Sequence, residues 1–139
     1  MRLLSIFSVL LFAVGCASTK YTGNNNGQLN GTWIPIKQEM GGKAFPEVIY
    51  KTQQLIISDS NYTLVAESVD KGVVRYNADK MDIYGKEGVN KGKHFTAIYK
   101  YANGELTVCY NLMGTDYPAK FETDGKPWYF MSVFKKQGQ

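Results

Sequence analysis

The sequence predicts an all-β protein, an eight-stranded antiparallel up-and-down β-barrel with at most one short helix. Length and composition are one reason, because 139 residues with 44% hydrophobic content suit a single domain that can bury a core. Fourteen Gly, ten Tyr and seven Phe favour turns and strands over helices. Eight short apolar runs separated by tight turn signals predict a meander, and closing a meander into a barrel removes its exposed edges. A two-sheet sandwich is the alternative.

The chain begins with the pattern of a secretory signal peptide, residues 1–15. A positive Met1-Arg2 precedes an apolar run from Leu3 to Val14, which is too short to cross a bilayer as a helix. The run ends in Ala13-Val14-Gly15-Cys16, which resembles the bacterial lipobox. That resemblance implies cleavage before Cys16 and a diacylglycerol on its thiol, so that the protein is lipid-anchored in the bacterial cell envelope. An ordinary secretory signal with a chance Cys is the alternative.

Residues 16–28 are predicted to be the lipidated cysteine and a flexible tether, because the stretch from Ala17 to Gln28 is polar and has no periodicity. Ala17 directly after the cysteine resembles the pattern of outer-membrane sorting, which implies an anchor in the outer membrane facing the periplasm. The folded domain is predicted over residues 29–137. Lipidation would leave Cys109 as a lone thiol, whereas an unmodified Cys16 could form a disulfide with it in an oxidising compartment.

Turn residues divide the domain into its predicted strands. These are Thr32–Met40, Gln54–Ser58, Tyr62–Glu67, Gly72–Asn77, Lys80–Tyr84, His94–Tyr101, Glu105–Asn111 and Trp128–Lys135. Asn103-Gly104 is the strongest hairpin signal, and Asp70-Lys71-Gly72 is read as another turn. Pro46–Thr52 has room for one or two turns of helix.

Alternation along the strands indicates which side chains face inward. The more apolar or aromatic parity predicts a narrow interior lined by Tyr62, Leu64, Tyr99, Leu106, Val108, Tyr110 and Phe130. Arg75 could be a polar ligand anchor if it points inward, and an outward, solvated Arg75 is the alternative. The last strand is apolar on both faces, so we expect Pro46–Thr52 or a partner to cover its outer face. Pro35 marks a candidate bulge in the first strand.

Several short motifs carry a family resemblance over most of the domain. Leu29-Asn30-Gly31-Thr32-Trp33 resembles the Gly-x-Trp start of lipocalins. The ordered set resembles a family of small bacterial lipocalin-like domains of unknown function; its other members are Gly42-Lys43, Tyr62-Thr63-Leu64, Asp82-Ile83, Asn90-Lys91-Gly92-Lys93, Ile98-Tyr99, Gly104-x-Leu106-x-Val108-Cys109-Tyr110 and Pro118-x-x-Phe121. The resemblance implies a lipocalin-like barrel in which Trp33 plugs the base, and it implies no activity.

The search for chemistry yields no catalytic motif, cofactor motif or spaced metal set. His94, the only His, is expected to be a polar residue at the barrel rim, and Cys109 to be a buried, inert thiol. The net charge of +4 does not indicate nucleic-acid binding. We therefore predict a non-enzymatic protein without a cofactor. It either binds a small apolar or amphipathic molecule or, with a packed interior, binds an envelope protein as an inhibitor or assembly factor.

The ligand-binding prediction rests on named side chains of the predicted interior and base. The candidate ligand contacts are Trp33, Tyr62, Leu64, Arg75, Tyr99, Tyr110 and Phe130. A cavity of about 300 Å³ or more would favour this prediction over the protein-binding module.

Overall fold

The computed structural model describes residues 27–139, so the predictions for the signal peptide, for Cys16 and for most of the tether lie outside the described residues. Nine strands and one short helix follow one another in the described part of the chain. They are β1 (Gly31–Met40), β2 (Lys43–Ala44), α1 (Glu47–Tyr50), β3 (Gln54–Ser58), β4 (Asn61–Val65), β5 (Val69–Asn77), β6 (Lys80–Glu87), β7 (His94–Ala102), β8 (Glu105–Asn111) and β9 (Tyr129–Lys136).

The predicted barrel is confirmed. Strands β1 and β3 to β9 pair in sequence order, every pair is antiparallel, and β9 returns to pair with β1, so eight strands form a closed meander rather than a sandwich. The short strand β2, which the sequence did not predict, folds back on the end of β1. Helix α1 lies inside the predicted helical segment and has four residues.

Turn chemistry explains most of the hairpins. Asn103 and Gly104 have φ angles of 55° and 77°, and Ala102 pairs with Glu105 on either side of them. Positive φ at both central residues is the geometry of a type I′ turn, and the hairpin lies where the Asn-Gly pair predicted it.

The turn predicted at Asp70-Lys71-Gly72 is wrong, because these residues lie inside β5. The chain reverses earlier, where the Ala66 amide donates to the Ser68 carbonyl over 2.9 Å. Gly72 is instead required by a close approach, since a Cβ there would collide with the Tyr84 carbonyl and the Tyr62 ring. The sequence therefore marked Gly72 correctly as a position that needs glycine, but the reason is a close approach inside a strand and not a turn.

A bulge settles the direction of the side chains in β1. The register with β9 shifts between Pro35 and Lys37, as the sequence anticipated at Pro35. The extra residue reverses the alternation, so Trp33 and Gln38 are both buried although they have opposite parity.

Two apolar clusters lie on opposite sides of the barrel wall. The larger cluster lies inside the barrel and includes Trp33 and Leu106. The smaller lies outside, where the outward side chains Ile98, Cys109 and Met131 are buried. Its cover is the connection between β8 and β9, residues 112–128, whose aromatic residues pack on it.

The expectation that Pro46–Thr52 covers the outer face of the last strand is therefore wrong. Helix α1 packs near β1, and Tyr50 donates its hydroxyl to the Ile36 carbonyl over 3.1 Å. The doubly apolar pattern of β9 arises because one face meets the interior and the other meets residues 112–128.

Candidate functional site: a cavity inside the barrel

The barrel encloses an apolar cavity of about 600 Å³ that opens at one end. This volume lies within the range of small-molecule sites. The wall is made of aliphatic and aromatic side chains from seven strands, chiefly Leu55, Ile57, Tyr62, Leu64, Val74, Tyr76, Met81, Ile83, Phe95, Leu106, Val108, Tyr110, Phe130 and Phe134. The opening is bordered by residues of the connections, namely Phe45, Ile49, Ala66, Leu112, Met113 and Trp128.

Trp33 closes the other end of the barrel. Its side chain is fully buried, and its indole Nε1 donates to the Leu29 carbonyl over 2.8 Å. Tyr101 meets the ring edge-on at 5.6 Å between centroids, and the Lys136 ammonium lies 5.6 Å from its centre. Trp33 is not among the cavity-lining residues. Its position is that of a structural plug, as predicted, rather than that of a ligand contact.

The structure brings together four of the other proposed ligand contacts. Tyr62, Leu64, Tyr110 and Phe130 all line the cavity, together with Leu106 and Val108 from the predicted interior. Tyr99 does not line it, because its ring lies edge-on against Tyr76, at 5.8 Å between centroids, within the packed lower core.

Arg75 lies on the outside of the barrel, so the inward anchor is the wrong alternative. Its neighbours Val74 and Tyr76 are buried and line the cavity, which by alternation directs Arg75 to solvent. There its guanidinium lies 5.2 Å from the centre of the Tyr84 ring. Arg75 therefore makes a cation–π contact on the outer wall and has no role in the interior.

Polar groups gather towards the open half of the cavity. The Gln38 amide, 4% exposed, donates to Gln53 Oε1 over 2.9 Å and approaches the Ser132 hydroxyl at 3.4 Å. Across the opening stand Asn90 and Lys93, whose ammonium lies 3.3 Å from Asn90 Oδ1. Among the described cavity-lining residues, Lys93 is the one that carries a formal charge.

A buried carboxylate holds the loop that carries Lys93. Asp70, 4% exposed, accepts hydrogen bonds from the backbone amide and the side-chain amide of Asn90, each over 3.1 Å. Gly88 of the same loop has a φ of 86° and passes so close to Asp70 that a Cβ would collide with it. The attachment of this loop to Asp70 was not visible in the sequence, because Asp70 and Asn90 are twenty residues apart.

The interior tyrosines remain neutral hydrogen-bonding groups. Burial, reinforced by the Asp70 carboxylate, raises the pKa of Tyr62. Burial is also the main reason for the raised pKa of Tyr110. Phenols that keep their protons leave the wall uncharged, which suits an apolar chain.

A second polar cluster lies on the outer wall. His94 Nε2 lies 2.7 Å from Asp82 Oδ1, and Tyr117 donates to Asp82 Oδ2. The hydrogen bond to Asp82 raises the pKa of Tyr117 to about 12. Tyr84 stacks on the His94 ring at 4.6 Å. The bond from Tyr117 fixes the connection 112–128 to the barrel wall. His94 is the first residue of β7, and the sequence predicted a polar residue at this end of the strand.

Comparisons with known proteins leave the barrel and its cavity as the basis for a functional proposal. No family model matches the chain, and no curated protein or solved structure matches it either. Within residues 27–139, no group of three or more His, Cys, Asp and Glu side chains could hold a metal ion. That same part of the chain has no helix long and apolar enough to span a membrane. The lipocalin-like resemblance stays a prediction.

Proposed function

We propose that this protein binds one small apolar or amphipathic molecule inside its barrel and does so as a lipid-anchored protein of the bacterial envelope. The supporting observation is the apolar cavity of about 600 Å³. Eight strands enclose a space that side chains can fill or that can hold one small ligand. An unfilled space with an opening favours the second use. It also favours ligand binding over the protein-binding module, for which a packed interior was expected.

The distribution of polar groups supports one orientation of the ligand. The part of the cavity wall away from the opening consists of aliphatic and aromatic side chains, which suit a hydrocarbon chain. Lys93, Asn90 and the Gln38–Gln53 pair offer hydrogen-bond donors near the opening. A ligand with an apolar tail and an acidic head group would bury its tail below and place its charge beside Lys93.

Titration with a fluorescent long-chain fatty acid tests the proposal. We expect saturable binding in the micromolar range, with blue-shifted probe emission. Leu64→Trp should weaken it, because Leu64 faces the cavity and an indole would narrow the space for the chain. Val65→Trp is the matched control, since the adjacent residue of β4 has the opposite orientation. No saturable binding, or equal loss in both variants that remain folded, would contradict the proposal.

The lipid anchor is tested separately. The motivation is the charged start, the apolar run and the small residues before Cys16. Metabolic labelling with palmitate should mark the parent chain and not Cys16→Ser, which should appear in the soluble fraction. Equal labelling of both chains, or of neither, would refute the anchor and leave the ligand proposal standing.

A further inference from the structure

The exposed apolar side chains of this barrel are concentrated at its open end. Eight large apolar residues are exposed in the described part of the chain. Ile36 and Ile56, on the outer wall, are the least exposed at 41% and 36%. The other six lie on connections or strand ends around the opening; they are Val48, Ile49, Val69, Val89, Met113 and Trp128, and we call them the open rim. The turns at the closed end, such as Asp59-Ser60 and Asn103-Gly104, are polar or small.

The open rim is continuous with the cavity. Ile49, Met113 and Trp128 are more than half exposed and also line the cavity. The six side chains come from α1 and from three other parts of the chain, so they surround the opening rather than form one groove. A ring of apolar side chains around an apolar opening suits contact with a broad apolar phase. It suits a folded protein partner less well, because such a partner would have to fill the opening with its own surface.

Basic residues accompany the apolar tips. The connections at the open end carry the exposed lysines Lys43, Lys51, Lys91, Lys93 and Lys126 against the exposed carboxylates Glu47, Glu67 and Asp124. Three further exposed charges of the β8–β9 connection, Asp116, Lys120 and Glu122, belong to the segment that packs along the outer wall. Each lysine near an anionic lipid surface contributes about 1 kcal/mol of attraction. Trp128 follows Lys126 closely, and an exposed tryptophan is the side chain most suited to the boundary between head groups and acyl chains.

We propose that the open rim docks on the surface of an anionic lipid bilayer, with its apolar tips among the head groups and upper acyl chains. Docked in this way, the cavity opens directly into lipid. The passage of an amphipathic molecule between bilayer and barrel without crossing water rests on the proposed function, whereas the docking itself does not. This contact is separate from any lipid on Cys16, because the chain enters the barrel at the closed end, where Asn30 binds Asp59.

Chain length allows the two contacts to coexist. The eleven Cα-to-Cα steps from Cys16 to Gly27 can span up to about 38 Å. The ten residues of β1 span about 34 Å from one end of the barrel to the other. An anchored barrel can therefore turn its open end towards the same membrane.

The test uses tryptophan emission of the full chain with vesicles of mixed zwitterionic and anionic lipid brominated in the acyl chains. We expect the vesicles to quench the emission and Trp128→Phe to lose that quenching, because Trp33 is fully buried at the far end. Ile49→Ser should weaken the quenching several-fold, whereas Ile56→Ser, on the outer wall, should not. Lys91→Glu should reduce it on anionic vesicles, and Lys135→Glu at the closed end is the charge-matched control.

Three outcomes would overturn the docking proposal. Quenching that persists in Trp128→Phe would locate the lipid contact elsewhere. A blue shift of Trp128 without quenching would mean that a protein surface, such as a second copy of the chain, covers the rim. Equal effects of Ile49→Ser and Ile56→Ser would assign the contact to the wall. None of these results bears on fatty-acid binding in solution, so the two proposals fail independently.

Discussion

Lys93 shows how a single residue can set the chemical preference of an otherwise neutral cavity. Its ammonium stands at the opening beside Asn90, and Asp70 fixes the loop beneath it through two hydrogen bonds. The surrounding wall contributes apolar surface and neutral phenols. Under the proposed function, discrimination between head groups would depend on one exposed cation and would be small, because charge pairs open to water contribute about 0.2–1 kcal/mol.

Lys93→Ala should weaken binding of a long-chain fatty acid by up to about fivefold and leave the matching fatty alcohol unaffected, since only the acid carries a charge that pairs with the ammonium. Lys91→Ala is the control, because Lys91 is exposed on the same loop and does not line the cavity. Competition titrations against the fluorescent probe measure both. An equal loss of acid and alcohol would show that Lys93 acts by shaping the opening and not by its charge.

Trp33 is the residue on which the stability of the closed end depends. Trp33→Ala should lower the free energy of unfolding by about 3–5 kcal/mol, because a fully buried indole and its hydrogen bond to Leu29 are lost. Denaturant unfolding measures this, and Trp128→Ala, at an exposed position, should change it little. A Trp33→Ala protein as stable as the parent would refute the plug.

At the scale of elements, the connection between β8 and β9 has a structural role although its backbone is irregular. It carries Tyr117 and Phe121 onto the outer cluster, and Lys100 lies 4.8 Å from the centre of the Phe121 ring. The Cys109 thiol beneath is fully buried and donates weakly to the Glu122 carbonyl at 3.9 Å. Burial raises the pKa of Cys109 to about 11.

This covering predicts slow alkylation of Cys109. At pH 8 the native thiolate fraction is about one in a thousand, because the pKa of Cys109 is near 11, so iodoacetamide should label the Cys16→Ser chain slowly until denaturant is added. Phe121→Ala should speed native labelling and cost roughly 2 kcal/mol of stability, since part of the cover is removed. Met113→Ala, exposed on the same connection, should do neither. Rapid labelling of the parent would mean that the connection opens readily.

The closed meander was predictable because it follows from local signals repeated along the chain. Alternation and turn residues are short-range features, so Gln54–Ser58 and Glu105–Asn111 were predicted with their observed bounds, and the Asn103-Gly104 hairpin at its observed position. Parity likewise identified Tyr62, Leu64, Tyr110 and Phe130 as inward-facing residues. These parts of the fold need no knowledge of distant contacts.

The features that escaped prediction depend on contacts between distant residues. Gly72 looked like a turn glycine because nothing local reveals that the Tyr62 ring packs against it. The cover of β9 was expected to be Pro46–Thr52 or a partner, because residues 112–128 have no regular pattern that marks an amphipathic element. Arg75 was considered as the polar anchor because it is a charged residue on a predicted strand. Lys93 was not, because it lies on a loop, and the position of that loop depends on its contact with Asp70.

For the molecule as a whole, the barrel is proposed to be a container with a plug at one end and a lipid-facing rim at the other. Native mass spectrometry of the purified chain with excess palmitate tests the container most simply. A complex with one bound fatty acid should dominate the spectrum of the parent, and Leu64→Trp should lower the bound fraction while Val65→Trp behaves as the parent. A parent spectrum that shows only the free chain, or the same adducts on parent and Leu64→Trp, would contradict binding inside the barrel.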